Sequence, residues 1–228
     1  MRKGSPGFTI VELLLATAVF SLVLVAAVSG FLEIGRLFYK GVTTSQTQNV
    51  AKLVLNQITA DIQDSTDVTT LQNPPPNAEF TYLCIGNKRY TLNFDVKVNT
   101  TITDYSQKKF GILRDELPGN SGCAEPCYSA GGDCEPGELV FQNPQELLST
   151  KMSLRIEPAR LLEQPSSNPE RLYNVRIRLV FGDDDVLRIV DPDNPTGSNV
   201  RCDSNLQSSQ FCAEAEVSNV VFAGEFGP

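Results

Sequence analysis

Six cysteines and not one histidine define the chemistry open to this chain of 228 residues. Without imidazole, the Ser-His-Asp and Cys-His nucleophile systems are excluded. Ser106-Gln107-Lys108-Lys109 matches S-x-x-K, but no K-T-G or S-D-N accompanies it. Neither a Walker A loop nor a G-x-G-x-x-G is present. No enzymatic activity is expected, and neither a catalytic residue nor a cofactor is assigned. Cys84, Cys123, Cys127, Cys134, Cys202 and Cys212 instead point to disulfides in an oxidising compartment. Six cysteines allow fifteen pairings, and sequence alone does not choose among them. We expect Cys202 with Cys212, and Cys84 bridging to the Cys123-Cys127-Cys134 cluster, whose other two members pair together. A zinc site of three or four thiolates is the competing reading.

Two acidic turns, Asp183-Asp184-Asp185 and Asp191-Pro192-Asp193-Asn194, flank a short apolar segment, Val186 to Val190. Asp, Asn and Pro are turn formers, so the plain reading is a pair of solvated hairpin ends. The other reading is a surface calcium site built from Asp183, Asp185, Asp191 and Asp193, since closely spaced carboxylates are hard-cation ligands. Arg155, Arg176, Arg178 and Arg188 are read as sharing an exposed sheet face, which they keep soluble or offer to a partner. The formal net charge is −8, and would be −10 without residues 1–7, which carry Arg2 and Lys3. That is the wrong sign for phosphate-backbone binding, so no direct nucleic-acid contact is expected.

The elements that position these groups begin with an anchor. Arg2 and Lys3 precede a small-residue stretch ending at Gly7, and Leu13 to Leu32 contains no charge. Twenty helical residues at about 1.5 Å each cross a hydrocarbon core of about 30 Å. The basic start stays cytoplasmic and the rest of the chain faces outward. Glu12 departs from an ordinary anchor, because a carboxylate at the bilayer centre costs about 2.5–3.5 kcal/mol. It calls for a cationic partner, and the nearest is a free amino terminus at residue 8 of this chain or a neighbour. A secretory signal cut after Ala27-Val28-Ser29 would need an apolar region longer than usual with Glu12 inside it. A plain signal anchor explains neither Gly7-Phe8 nor Glu12.

Gly7-Phe8-Thr9-Ile10-Val11-Glu12, followed by Leu13-Leu14-Leu15-Ala16, resembles the class III signal of type IV prepilins. The resemblance implies that prepilin peptidase cuts after Gly7 and methylates the new amine of Phe8. It further implies that Glu12 pairs with the amino terminus of an adjacent pilin during assembly. Major pilins commonly carry a proline near the twenty-second mature position, where this chain has Ser29 and Gly30. That departure points to a minor subunit.

No proline occurs between Phe8 and Pro74, and Val50, Val54, Leu55, Ile58 and Ile62 form a stripe at helical spacing. A helix from residue 8 to about 64 would be about 85 Å long, its second half laid on a globular head. Asn73-Pro74-Pro75-Pro76 ends any helix, and the apolar period then becomes two. Strands are expected at Phe80–Ile85, Tyr90–Val98 after a Gly86-Asn87 turn, Phe110–Arg114, Glu138–Gln142, Met152–Glu157, Leu172–Phe181, Val186–Val190 and Glu216–Phe222. The fold class is therefore α+β: a long N-terminal helix on an antiparallel head with disulfide-pinned loops. Residues 1–7 form the leader, 8–32 the transmembrane and assembly helix, 33–65 its amphipathic half, and 66–228 the extracellular head.

The order of head elements resembles W-type minor pilins and the J-type pseudopilins of type II secretion. It rests on the Tyr90-Thr91-Leu92 hairpin strand, Leu113-Arg114, Val175-Arg176-Ile177-Arg178-Leu179, and the closing Ser209-Gln210-Phe211-Cys212-Ala213. The resemblance implies a small tip complex that primes filament assembly, with other pilins as partners. The chain would span the cytoplasmic membrane once, head outside, before entering a surface pilus or a periplasmic pseudopilus. A monomeric membrane-anchored binding or adhesion protein is the alternative of another class. Thiol counting on exported protein, denatured without reductant, is expected to find no free cysteine; two or more would reopen the thiolate-metal reading.

Overall fold

The computed structural model describes residues 8–69, 80–98, 109–119, 122–127, 134, 138–164, 171–189, 200–203 and 209–224. Thr9 caps a single unbroken helix, α1 (Ile10–Gln63). Its hydroxyl accepts from the Glu12 backbone N–H at 3.2 Å, and the Glu12 carboxylate accepts from the Thr9 N–H at 3.0 Å. This reciprocal capping box satisfies two of the donors that a helix start leaves open. At the other end the Asp64 N–H reaches back to the Ala60 carbonyl. Gly30, Gly35 and Gly41 all stay helical.

Burial on α1 begins at Thr47 and follows one face through Ala51, Val54, Leu55, Ile58, Thr59 and Ile62. Residues 33–46, expected to belong to the amphipathic half, remain largely exposed. The buried face meets two antiparallel sheets. The first has β1 (Val68–Thr69), β2 (Phe80–Ile85), β3 (Lys88–Asn93), β4 (Ile112–Glu116) and β7 (Gln145–Glu146) side by side in that order. The second has the order β13 (Ala213–Phe222), β10 (Leu172–Phe181), β8 (Met152–Leu154), with β9 (Leu162–Glu163) also on β10. A short helix, α2 (Pro158–Leu161), precedes β9. Two small ribbons complete the head: parallel β5 (Glu125–Cys127) with β6 (Glu138–Val140), and antiparallel β11 (Leu187–Ile189) with β12 (Val200–Cys202).

One core runs through both sheets. Val54, Ile58 and Ile62 of α1 join Leu83, Tyr90, Leu92 and Ile112 of the first sheet and Val175, Ile177, Leu179 and Ala215 of the second. Each large apolar side chain so buried contributes about 1.5–3 kcal/mol. β13 runs alongside α1 in the same direction. Phe211 before it packs on Tyr39, with ring centroids 6.2 Å apart, and Gly224 after it comes up to the Ser65 carbonyl. Twenty-six helical residues rise about 39 Å and thirteen strand residues about 43 Å, so the two elements match in length.

The expected strands at 80–85 and 172–181 stand as read, and the Gly86-Asn87 turn is present with Gly86 at φ +56°. Others differ. β3 ends at Asn93 although the alternation continues to Val98, because Asp95 adopts φ +64° and the chain turns toward β8. β4 starts two residues later than expected, because Gly111 is wedged against Leu148 and Val98, where a Cβ would lie 2.5 Å from Leu148 Cδ1. Asp184–Val186 is a 3-10 turn, which shortens the expected strand to β11.

Polar groups fix the layers to one another. The Asp61 carboxylate accepts from Arg114 Nε at 2.7 Å, Arg114 Nη2 at 3.0 Å and the Tyr90 hydroxyl at 2.5 Å, tying the last turns of α1 to β3 and β4. Burial opposes the charge on Asp61, but hydrogen bonds from Arg114 and Tyr90 outweigh it and hold the carboxyl below its ordinary range. Burial and then the Asp61 carboxylate push the Tyr90 hydroxyl far up. Arg89 and Asp115 form a fully buried two-bond pair at 3.0 and 2.7 Å. Arg89 also donates to the Ala124 carbonyl at 3.1 Å, holding the Cys123 loop against the first sheet.

Asp61→Asn keeps the shape and removes the charge, and is expected to cost about 2 kcal/mol at pH 7, within the 1.5–3 kcal/mol of hydrogen bonds to charged groups. Asp61 has a depressed folded pKa, so its contribution is present above the ordinary value of 3.8 and is lost as pH falls through the lower folded value. Urea unfolding between pH 2 and 7 should therefore show a shallower acid limb in the variant; equal acid slopes would contradict the clamp.

Candidate functional site: the N-terminal helix face

Glu12 lies in the first turn of α1, where unpaired N–H groups and the helix dipole favour an anion. Its Oε2 accepts from the Thr9 N–H at 3.0 Å and the Thr9 hydroxyl at 2.9 Å. Among the described residues, Oε1 has no hydrogen bond, and Glu12 is exposed. Phe8, Leu15, Ala16, Val19 and Val23 share the side of the helix that carries Glu12, and together they line a shallow apolar concavity. Phe8 is 79% exposed, and among the described residues no side chain of the head covers this face. Gly7 and the rest of the leader lie outside the described residues. Phe8 immediately precedes the cap, so an amine created there would sit one residue before Thr9.

The first half of α1 is long and apolar enough to cross a membrane, and the head begins only where burial does, at Thr47. One helix is thus both a bare apolar stem and the spine of a β-rich head, with a single carboxylate at the start of the stem. Residues 2–28 match the family model described as the prokaryotic N-terminal methylation motif. The match supports a type IV pilin-like or pseudopilin protein, anchored by a single span, processed by prepilin peptidase and assembling with other pilins. It is confined to the N-terminal segment and leaves the head unassigned. No curated protein and no solved structure matches the chain.

Cleavage after Ser29 would cut α1 in mid-helix. Thr9 was not singled out from the sequence, yet its T-x-x-E spacing before an apolar run is the signature of a capping box.

The remaining sequence candidates do not gather into a second centre around this face. The six cysteines form Cys84–Cys123, Cys127–Cys134 and Cys202–Cys212, with Cα separations of 5.7, 5.4 and 5.7 Å. Cys127, Cys134 and Glu138 bring donor atoms within 4.8 Å of one another, but the two sulfurs are bonded together and are not thiolates. Asp183 accepts from Lys151 Nζ at 2.9 Å and Lys97 Nζ at 3.1 Å, and these hydrogen bonds hold its carboxyl below the usual range. Two ammonium groups therefore occupy the oxygens that a calcium ion would need. Asp185 is exposed, while Asp191, Asp193 and Ser106 lie outside the described residues.

The arginine reading needs correction. Arg155 and Arg178 are buried, 9% and 5% exposed: Val200 of the β11–β12 ribbon and Glu214 close over Arg178, while Arg155 is held by Ser153 and Asp95. Arg188 lies on that ribbon, exposed, and its place near the others is taken by its cross-strand partner Arg201. Mass spectrometry of the native protein is expected to find a chain starting at a methylated Phe8, lacking the mass of residues 1–7; a native N-terminus at Gly30 would leave a secreted protein instead.

Proposed function

We propose that the protein is a non-enzymatic minor subunit of a type IV pilus, placed in the tip or assembly-initiating complex. The observation that carries this reading is the methylation motif on a stem that no described residue of the head covers, with one Glu12 oxygen that no other described residue bonds. Packed into a filament, such a stem is covered by the stems of neighbouring pilins. There Glu12 loses access to the membrane interface, and a neighbour's Phe8 amine restores a charge partner and sets the axial register between subunits. Ser29 and Gly30 stand where major pilins commonly carry a proline, which favours the minor-subunit reading, as does the resemblance of the head motifs to W-type minor pilins. A type II secretion pseudopilin shares this plan, and the J-type resemblance of the head favours it as the second reading. Attachment to surfaces, motility and DNA uptake are all compatible with either position in a filament.

Glu12→Gln retains volume and an acceptor but removes the charge. Membrane insertion and leader cleavage are expected to remain normal, while incorporation into sheared surface filaments falls about tenfold, the effect of losing about 1.4 kcal/mol. Recovery at the wild-type ratio to the major subunit would sink the electrostatic docking. An unassembled, normally cleaved protein whose deletion stops protein export rather than piliation would favour the secretion reading.

A further inference from the structure

The outer face of the second sheet, turned away from α1, carries a polar pocket of about 230 Å³ lined by five arginines and only two glutamates. Its floor is rigid. Arg178 donates to the Arg155 carbonyl at 3.0 Å, the Val200 carbonyl at 2.6 Å and Glu214 Oε2 at 3.0 Å. Arg155 donates to Ser153 Oγ at 3.0 Å and lies 3.3 Å from Asp95. Both guanidinium groups are held in place before any ligand arrives.

The walls are less satisfied. Arg160, from α2, pairs with Glu157 at 2.9 Å. Arg176 stands 3.9 Å from Glu216, beyond hydrogen-bond range. Arg201 Nη1 is buried without a hydrogen bond, its nearest carboxylate, Glu214, 3.8 Å away. A guanidinium carries five N–H donors in a planar fork, so Arg176 and Arg201 bring donors to the pocket that no other described residue uses. Among the described residues the carboxylates in contact are Glu157, Glu214, Glu216 and Asp95, so five positive charges there face four negative ones. One positive charge is left over on a chain whose net charge is −8.

The geometry points to a binding site for a single carboxylate group, held between Arg176 and Arg201 above the fixed floor of Arg155 and Arg178. One monoanion balances the cluster, whereas a phosphate of about −1.5 to −2 overshoots it. A volume of about 230 Å³ admits one such group and falls below the roughly 300–1,000 Å³ of sites for drug-sized ligands. The fork-to-carboxylate match supplies two parallel hydrogen bonds per arginine. The carboxylate can come from a free small acid or from an acidic side chain of a polypeptide.

The test follows arginine modification by phenylglyoxal, read peptide by peptide by mass spectrometry. It uses the full chain in a non-ionic detergent at constant ionic strength, with chloride as the reference anion, and the probes are propionate, a short glutamate-rich peptide and inorganic phosphate. Modification of Arg176 and Arg201 is expected to slow about threefold, the factor for a ligand at twice its Kd, while exposed Arg171 is unaffected. Protection by propionate assigns the site to the carboxylate group alone; protection by the peptide only assigns it to an acidic polypeptide. Either supports the proposal. Protection by neither, protection by phosphate equal to or better than by the carboxylates, or equal slowing at Arg171 overturns it. Arg201→Gln, a change at a half-exposed side chain, should abolish protection at Arg176, and persistence of that protection also overturns it.

Discussion

α1 is one continuous hydrogen-bonded rod that must satisfy two surroundings at once: apolar packing in a membrane or filament along its first half, and the head core from Thr47 onward. Nothing in the backbone marks the change, since the helix runs through Ser29, Gly30, Gly35 and Gly41 without a break. The change is made by side chains alone. A stem without partners of its own exposes Leu, Val and Phe that water would not tolerate, so the protein is incomplete outside lipid or an assembly. Glu12 fits this arrangement because one oxygen of its carboxylate already serves the helix start, while the side chain remains exposed.

The head is built to hold that rod rigidly. The Asp61 cluster grips its last turns, the Arg89–Asp115 pair carries the Cys123 loop, and Cys202–Cys212 frames the turn from which Phe211 reaches Tyr39. Several of these contacts bury ionised groups, which stabilise little against apolar replacements but penalise any alternative pairing strongly. They fix which strand meets which turn of the helix. The arginine pocket follows from the same layering: one sheet face packs on α1, and the opposite face of β10 carries Arg176 and Arg178 beside a small apolar cluster at Val180.

What could be read from the sequence follows from how many residues each feature spans. α1 and β10 are long enough for their periods to be unmistakable, and both stand as expected. β1, β7 and β9 have two residues each, and β5 and β12 three, too few for any alternation to register. The alternation after β3 misled because periodicity is blind to the positive φ of Asp95. For the functional face, Gly7, Phe8 and Glu12 could be singled out because a glycine, an aromatic and an acid beside an apolar run fall within six positions of one another, inside the segment that the family model matches. The arginines were assigned to the correct face of β10 but the wrong surroundings, since nothing local to Arg178 announces the Val200 carbonyl that covers it.

The parallel course of α1 and β13 has a mechanical consequence. A pull on the stem enters the head along the helix axis, and β13 lies along that axis over nearly the whole length of the contact. Its ten-residue ladder with β10 is therefore loaded in shear. In shear all the rungs carry force together, whereas in an unzipping geometry they break one at a time. The strand that lines the helix is thus oriented to transmit tension into the head without peeling away, and the rest of the sheet lies behind the ladder in the line of force.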